Sequence, residues 1–247
     1  MPTPMRRLWL RMDDEGPGMR ARIALGLVLG ISACATPQPP GSIAHSLVSA
    51  QGNALALHDA LEALIDERSD TPTDREFAYT SILRAPDKGG PETPFARAAV
   101  TGRLIQERGL LAAGLVIDVE RNAELSRARD PEFREGAATR LLGTLYVMAP
   151  ATLVAHGSSE IGIELLEGLV AKYPESLENH LRLAEAYLAV GDTKPALPHL
   201  CLCLAKKEEL RPSDQALLEG LVAGAGMPGC LEGPSSNLLD RCPWRTA

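Results

Sequence analysis

Apolar residues recur along this chain at three- and four-residue spacing, and no segment shows the strict alternation of a half-buried strand. Across residues 54–68, Leu57, Leu61, Leu64 and Ile65 fall on one helical face. The next segment opens with Thr73 and Glu76, spaced as a capping box, and leads into Phe77, Ile82 and Leu83. Residues 87–92 (DKGGPE) read as a loop. Thr93 and Pro94 read as the N-cap and first residue of a helix to about Arg108, stopped by Gly109. One long helix is expected from Leu110 to about Arg129. Asp130 and Pro131 repeat the cap-and-proline pair and start a helix to about Met148, which Pro150 ends. Helices over 160–172, 176–190, 195–206 and 213–223 complete the set, and the Gly/Pro-rich residues 224–247 read as irregular. The expected fold is all-α, with antiparallel helical hairpins stacked on one another.

Composition narrows this reading further. A chain of 247 residues with 45% hydrophobic and 23% charged residues can bury a substantial core. Only 4% of residues are aromatic, while Ala and Leu are abundant, which favours helices over sheets. A net charge of -7 argues against a nucleic-acid-binding surface, which needs a basic stripe.

The N-terminal segment has the pattern of an address. Met19–Arg22 is basic, and Ile23–Ile31 is an apolar run. That run is far short of the roughly 20 residues needed to span a bilayer, but suits the apolar region of a secretion signal. It ends in Ile31-Ser32-Ala33-Cys34, which resembles the lipobox of bacterial lipoproteins. The resemblance implies cleavage before Cys34, acylation of Cys34, and export of everything that follows. The Pro-rich residues 36–42 then form a stiff tether. Ala35 after the cysteine, in place of the Asp that resembles an inner-membrane retention signal, implies the outer membrane, with the protein facing the periplasm. Asp13, Asp14 and Glu15 precede the basic region, so translation is read as starting at Met19 and residues 1–18 as a mis-called extension. The organisation is thus extension and signal (1–33), acylated cysteine and tether (34–42), N-terminal helical region (43–130), paired helices (131–223) and tail (224–247).

Within the paired helices, His180-x2-Leu183-Ala184-x2-Tyr187, then Gly191-Asp192, Ala196 and Leu200, follow the spacing of a tetratricopeptide (TPR) repeat, with Glu208 where proline is expected. Leu142-Gly143-x2-Tyr146 with Gly162-x3-Leu166 and Pro174 looks like a preceding copy. Between Tyr146 and Gly162 it is longer than the pattern by about seven residues, placed within 149–158. Residues 136–208 therefore resemble the TPR family, which implies a TPR-like α-solenoid. Residues 43–130 match no such repeat. The segment 136–150 also resembles the T component of TRAP-transporter-associated lipoproteins, which implies association with a periplasmic solute-binding protein. A long ordered loop between paired helices is often functional.

No HExxH, GxSxG or Walker motif occurs. Gly224–Gly229 spells GxGxxG, but it follows a helix and Pro228 blocks the helix that should come next, so the dinucleotide reading fails. The chain is read as having no catalytic residues, cofactor or metal. Arg140, Tyr146, His156, His180 and Tyr187 are the candidates for a binding loop or cleft. Cys201, Cys203, Cys230 and Cys242 are an even set in an oxidising compartment. On a helix Cys201 and Cys203 point about 200° apart, so each is expected to bond a tail cysteine, as 201–230 with 203–242 or 201–242 with 203–230. Free thiols, or a zinc site including His199, are the rival readings. The function expected is a membrane-anchored, non-enzymatic interaction scaffold whose partner is an envelope protein or peptide. The alternatives are an accessory component of a TRAP-type transport system engaging a small ligand or a solute-binding protein, and an enzyme or redox protein using His156 or the cysteines.

Overall fold

The computed structural model describes residues 42–226, and among these every regular element is helical. The signal segment, Cys34, Cys230, Cys242 and most of the tail lie outside the described residues. The helices are α1 (His45–Ser49), α2 (Ala54–Asp66), α3 (Pro72–Arg84), α4 (Glu92–Arg108), α5 (Val116–Arg129), α6 (Phe133–Met148), α7 (Ser159–Lys172), α8 (Leu177–Val190), α9 (Thr193–Ala205) and α10 (Pro212–Gly224). A 3₁₀ segment, Gly109–Leu115, joins α4 to α5.

The apolar spacing translates directly into burial. Leu57 and Leu61 of α2 are fully buried with Ala78, Ile82, Ala96 and Val100. Leu181, Ala184, Ala196 and Leu200 close a second core between α8, α9 and α10. Gly191 ends α8 in the left-handed conformation, as the turn requires.

Local starts differ from the sequence expectations for identifiable reasons. The capping box forms two residues early. Asp74 donates its amide to the Thr71 hydroxyl at 3.1 Å, and the Asp74 carboxylate accepts the Thr71 amide at 3.0 Å. Pro72, with φ already near the helical value, takes the first helical position. Thr93 is not an N-cap, because α4 begins at Glu92 and the Thr93 hydroxyl donates to Pro86 O instead. The expected continuous 110–129 helix is a 3₁₀ segment followed by α5. In that segment Ala112 alone is buried, so no packed face holds the turn in α form. Asp130 does not cap α6; its side chain accepts the Glu132 amide and closes a turn.

The start of α6 is left-handed over three residues, Arg134, Glu135 and Gly136, with φ of 49°, 55° and 78°. For the two non-glycine residues this costs about 1–2 kcal/mol each. Tertiary contacts offset the strain. Arg134 forks onto Asp59 at 2.8 and 2.9 Å, and Glu135 O accepts from Asn179 at 3.3 Å. A Cβ on Gly136 would overlap a Leu169 methyl, so this position needs glycine on two counts.

Consecutive helices pack in pairs, α4 on α5, α6 on α7 and α8 on α9. The α6–α7 pair is drawn together by glycines: a Cβ on Gly143 would stand 2.9 Å from Gly162 O, and one on Gly162 would stand 2.7 Å from Gly143 O. The even-numbered helices also touch in sequence, α2 to α4, α4 to α6, α6 to α8 and α8 to α10, and α10 returns to α2. Among the described residues no helix is long and apolar enough to cross a membrane.

Candidate functional site

The returning series of even-numbered helices places charged side chains that are remote in sequence against one another. Glu62 of α2 accepts a two-pronged bond from Arg103 of α4 at 2.7 and 2.6 Å and a third from Arg211, just before α10, at 2.8 Å. Arg211 also holds Asp66 at 2.9 and 3.1 Å, and the Ser213 amide donates to Asp66 at 3.3 Å. Burial pushes the Glu62 carboxyl upward, but the two guanidinium groups outweigh it and hold Glu62 at about 2. Asp59 lies well below the usual carboxylate range because His58 and Arg134 both bond it. On the far side, Arg140 of α6 donates to Asn179 at 2.8 Å and pairs with Glu178 at 2.6 Å, and Arg182 of α8 bridges Glu185 and Asp214 of α10 at 2.9 and 2.7 Å. Burial draws the Arg140 pKa downward, though Glu178 opposes it. Phe95 of α4 and Phe133 of α6 meet edge-on at 5.5 Å, and Phe95 also contacts His58 at 5.0 Å. The result is a seam of alternating arginines and carboxylates running through α2, α4, α6, α8 and α10. Its members form no sequence motif; their partners lie up to 149 positions apart.

The residues singled out from the sequence fall into separate neighbourhoods. Arg140 belongs to the seam. Tyr146 lies under the loop 149–158, where a Cβ on Gly157 would collide with its ring. Its hydroxyl faces Glu124 at 3.4 Å, and burial together with Glu120 and Glu124 pushes its pKa up. His156 contributes backbone rather than imidazole. The buried Glu120 carboxylate accepts the amides of Ala155 at 2.6 Å and His156 at 2.8 Å, while the His156 side chain is exposed. Ser158 caps α7 through the Ile161 amide. The long inter-helix loop is therefore clamped onto α5 by an internal carboxylate.

His180 and Tyr187 meet a residue outside the candidate cleft set, His199. The two imidazoles approach through their Nδ1 atoms at 2.7 Å, and His180 Nε2 stands 2.9 Å from Pro174 O. A carbonyl only accepts, so His180 Nε2 carries a proton, and the neutral pair shares one hydrogen between the Nδ1 atoms. Burial and the neighbouring His180 pull His199 down to about 4. Tyr187 stacks on His199 at 6.2 Å and donates its hydroxyl to Glu167; burial and that carboxylate raise Tyr187 to about 12.

The cysteines diverge from the expected double staple. Cys201 is disulfide-bonded, with its partner outside the described residues. Cys203 is a free, buried thiol facing Leu177 O at 3.6 Å, so neither two-bridge connectivity forms. It occupies the small-residue core slot between α8 and α9, where Leu181, Ala184 and Leu200 enclose it. Burial, with Asp214, pushes the thiol up to about 12, so it carries no thiolate at neutral pH. Among the described residues no three His, Cys, Asp or Glu side chains are arranged to hold a metal.

Compared with known proteins, the chain matches no family profile, and no curated protein is similar enough to count as a relative.

Proposed function

We propose that this chain is a lipid-anchored protein of the cell envelope that acts by binding, as a scaffold of TPR-like helical hairpins facing the periplasm from the outer membrane. The observation that carries the reading is the shared face built by α2, α4, α6, α8 and α10, lined by the arginine–carboxylate seam. Stacked hairpins present such a face to a protein or peptide. The repeat spacing supports the same reading: Leu183, Ala184, Ala196 and Leu200 are all buried, at the positions where the pattern calls for packed residues. The partner would be an envelope protein or peptide with charges of both signs, able to add hydrogen bonds at the rim of the seam.

The anchor is tested by fractionation and mass spectrometry of the full chain. Acylated Cys34 and release of Cys34→Ser from membranes are expected; membrane retention of an exported Cys34→Ser chain counts against the anchor. Binding is tested by photocrosslinkers at Glu178, on the seam, and at Arg121, on α5 away from it. A partner captured from Glu178 and not from Arg121 supports the shared face, and equal capture from both rejects it.

A further inference from the structure

We propose that the 3₁₀ segment Gly109–Leu115 is a lipid-contacting tip that sets the folded body against the bilayer carrying its anchor; this rests on the anchor reading above. Leu110 and Leu111 are 88% and 94% exposed, side by side, in a segment with no charged residue. Together they make a small, uncharged apolar projection, so what it faces has to be argued from its position.

What identifies the occupant is where the tether enters. The described chain begins at Ser42, and two residues on it is pinned: Ala44 N donates to Asp74 at 2.8 Å, at the first turn of α3. Two residues along α3, Glu76 pairs with Arg108, the last residue of α4. Leu110 follows two positions later. The tether's entry point and the leucine pair therefore share one end of α3. Between Cys34 and Ser42 the chain reaches at most about 28 Å even when fully extended, so that end of the body stays within a helix length of the membrane surface. Of the surfaces at that distance, a hydrocarbon boundary is the one that buries uncharged leucine and asks nothing of hydrogen bonding. The acyl chains retain the protein; the tip fixes its orientation, and so the direction in which the seam faces.

The test uses the full, membrane-purified chain reconstituted in phosphatidylethanolamine–phosphatidylglycerol vesicles with or without brominated acyl chains. The variant is Leu111→Trp in a Trp244→Phe background, because cleavage before Cys34 leaves Trp244 as the one native tryptophan of the acylated chain. The control is Leu83→Trp in the same background, at a position exposed near the opposite end of α3. Bromine quenching of the Leu111→Trp indole by about twofold or more, with the Leu83→Trp indole unaffected, is expected. As a second readout, vesicles should slow tryptic cleavage after Arg108 in the native chain but not in Leu110→Ser/Leu111→Ser. An acylated chain that floats with vesicles while Leu111→Trp is quenched no more than Leu83→Trp overturns the tip and leaves the anchor standing. A blue shift of Leu111→Trp fluorescence without vesicles that grows with protein concentration assigns the leucines to a second copy and overturns it too. A chain not acylated at Cys34 that fails to float removes the anchor, and the tip falls with it.

Discussion

Replacing Arg211 with methionine removes the charge that joins the last helix to the first while keeping an apolar stem of similar reach. Three ionic contacts are lost, one to Glu62 and two to Asp66. Exposed ion pairs contribute up to about 1 kcal/mol, and breaking a buried pair costs about 3–5 kcal/mol. Arg211 falls between these limits. Its side chain is 35% exposed, while its carboxylate partners are 8% and 20% exposed. Glu62 keeps the Arg103 fork, and Asp66 keeps the Ser213 amide. A loss of about 2 kcal/mol follows, or about 4–8 °C in Tm for a chain of this size. Denaturant unfolding followed by circular dichroism measures it, and a double-mutant cycle with Asp66→Asn should return a coupling of about 1–2 kcal/mol. Arg103→Met should cost more, because nearly buried Glu62 would lose its two-pronged partner. Amide exchange in α2 and α10 should quicken together in Arg211→Met. A cost below about 0.5 kcal/mol with unchanged exchange in both helices would refute the claim that this arginine closes the series.

Three further outcomes follow from the same contacts. Acid should destabilise the protein in two limbs. His199, depressed below 6.5, makes the unfolded chain bind the proton first, so stability falls as pH drops from 6.5 through about 4; Glu62, depressed below 4.5, does the same from 4.5 through about 2, and a stability curve flat across either window rules out that group. Glu120→Gln puts an amide NH₂ against one of two backbone donors and should cost about 1–3 kcal/mol, with faster proteolysis inside 149–158; an unchanged cleavage rate would show that the clamp does not hold the loop. Gly143→Ala should destabilise by about 1–3 kcal/mol because its methyl meets Gly162 O, whereas Gly220→Ala, with open space around it, should be neutral or stabilising by up to about 1 kcal/mol; equal effects in thermal melts would contradict the close α6–α7 approach.

The helices are legible in the sequence because their signal is local. Leu57, Leu61, Leu183 and Leu200 announce their faces by spacing alone, and each is buried. Helix starts are less so, since Thr71 and Thr73 both offer a hydroxyl and only the position of Pro72 separates them. Of the left-handed turn at Arg134–Gly136 the local sequence marks only Gly136; Arg134 and Glu135 carry no such mark, because what offsets their strain comes from Asp59 and Asn179. The same holds for most of the seam, whose pairs join different helices, from Arg182–Asp214 at 32 positions apart to Arg211–Glu62 at 149. His156 draws attention for its imidazole, yet the structure uses its amide, which any residue but proline supplies. For the cysteines, helical spacing separates Cys201 from Cys203 and the repeat spacing puts Cys203 in the small-residue core slot, where it is buried, but that its thiol stays free leaves no mark in the spacing.

Because α10 rests on α2, this architecture cannot be lengthened by duplicating a hairpin. An inserted helix pair would push Arg211 away from Glu62 by at least one interaxial distance, about 8–10 Å, well beyond any ion pair. Open helical arrays diversify by copy number; here that route is barred. New specificity must come from side chains on the existing helices, or from segments such as 149–158 that can change length without disturbing the ends.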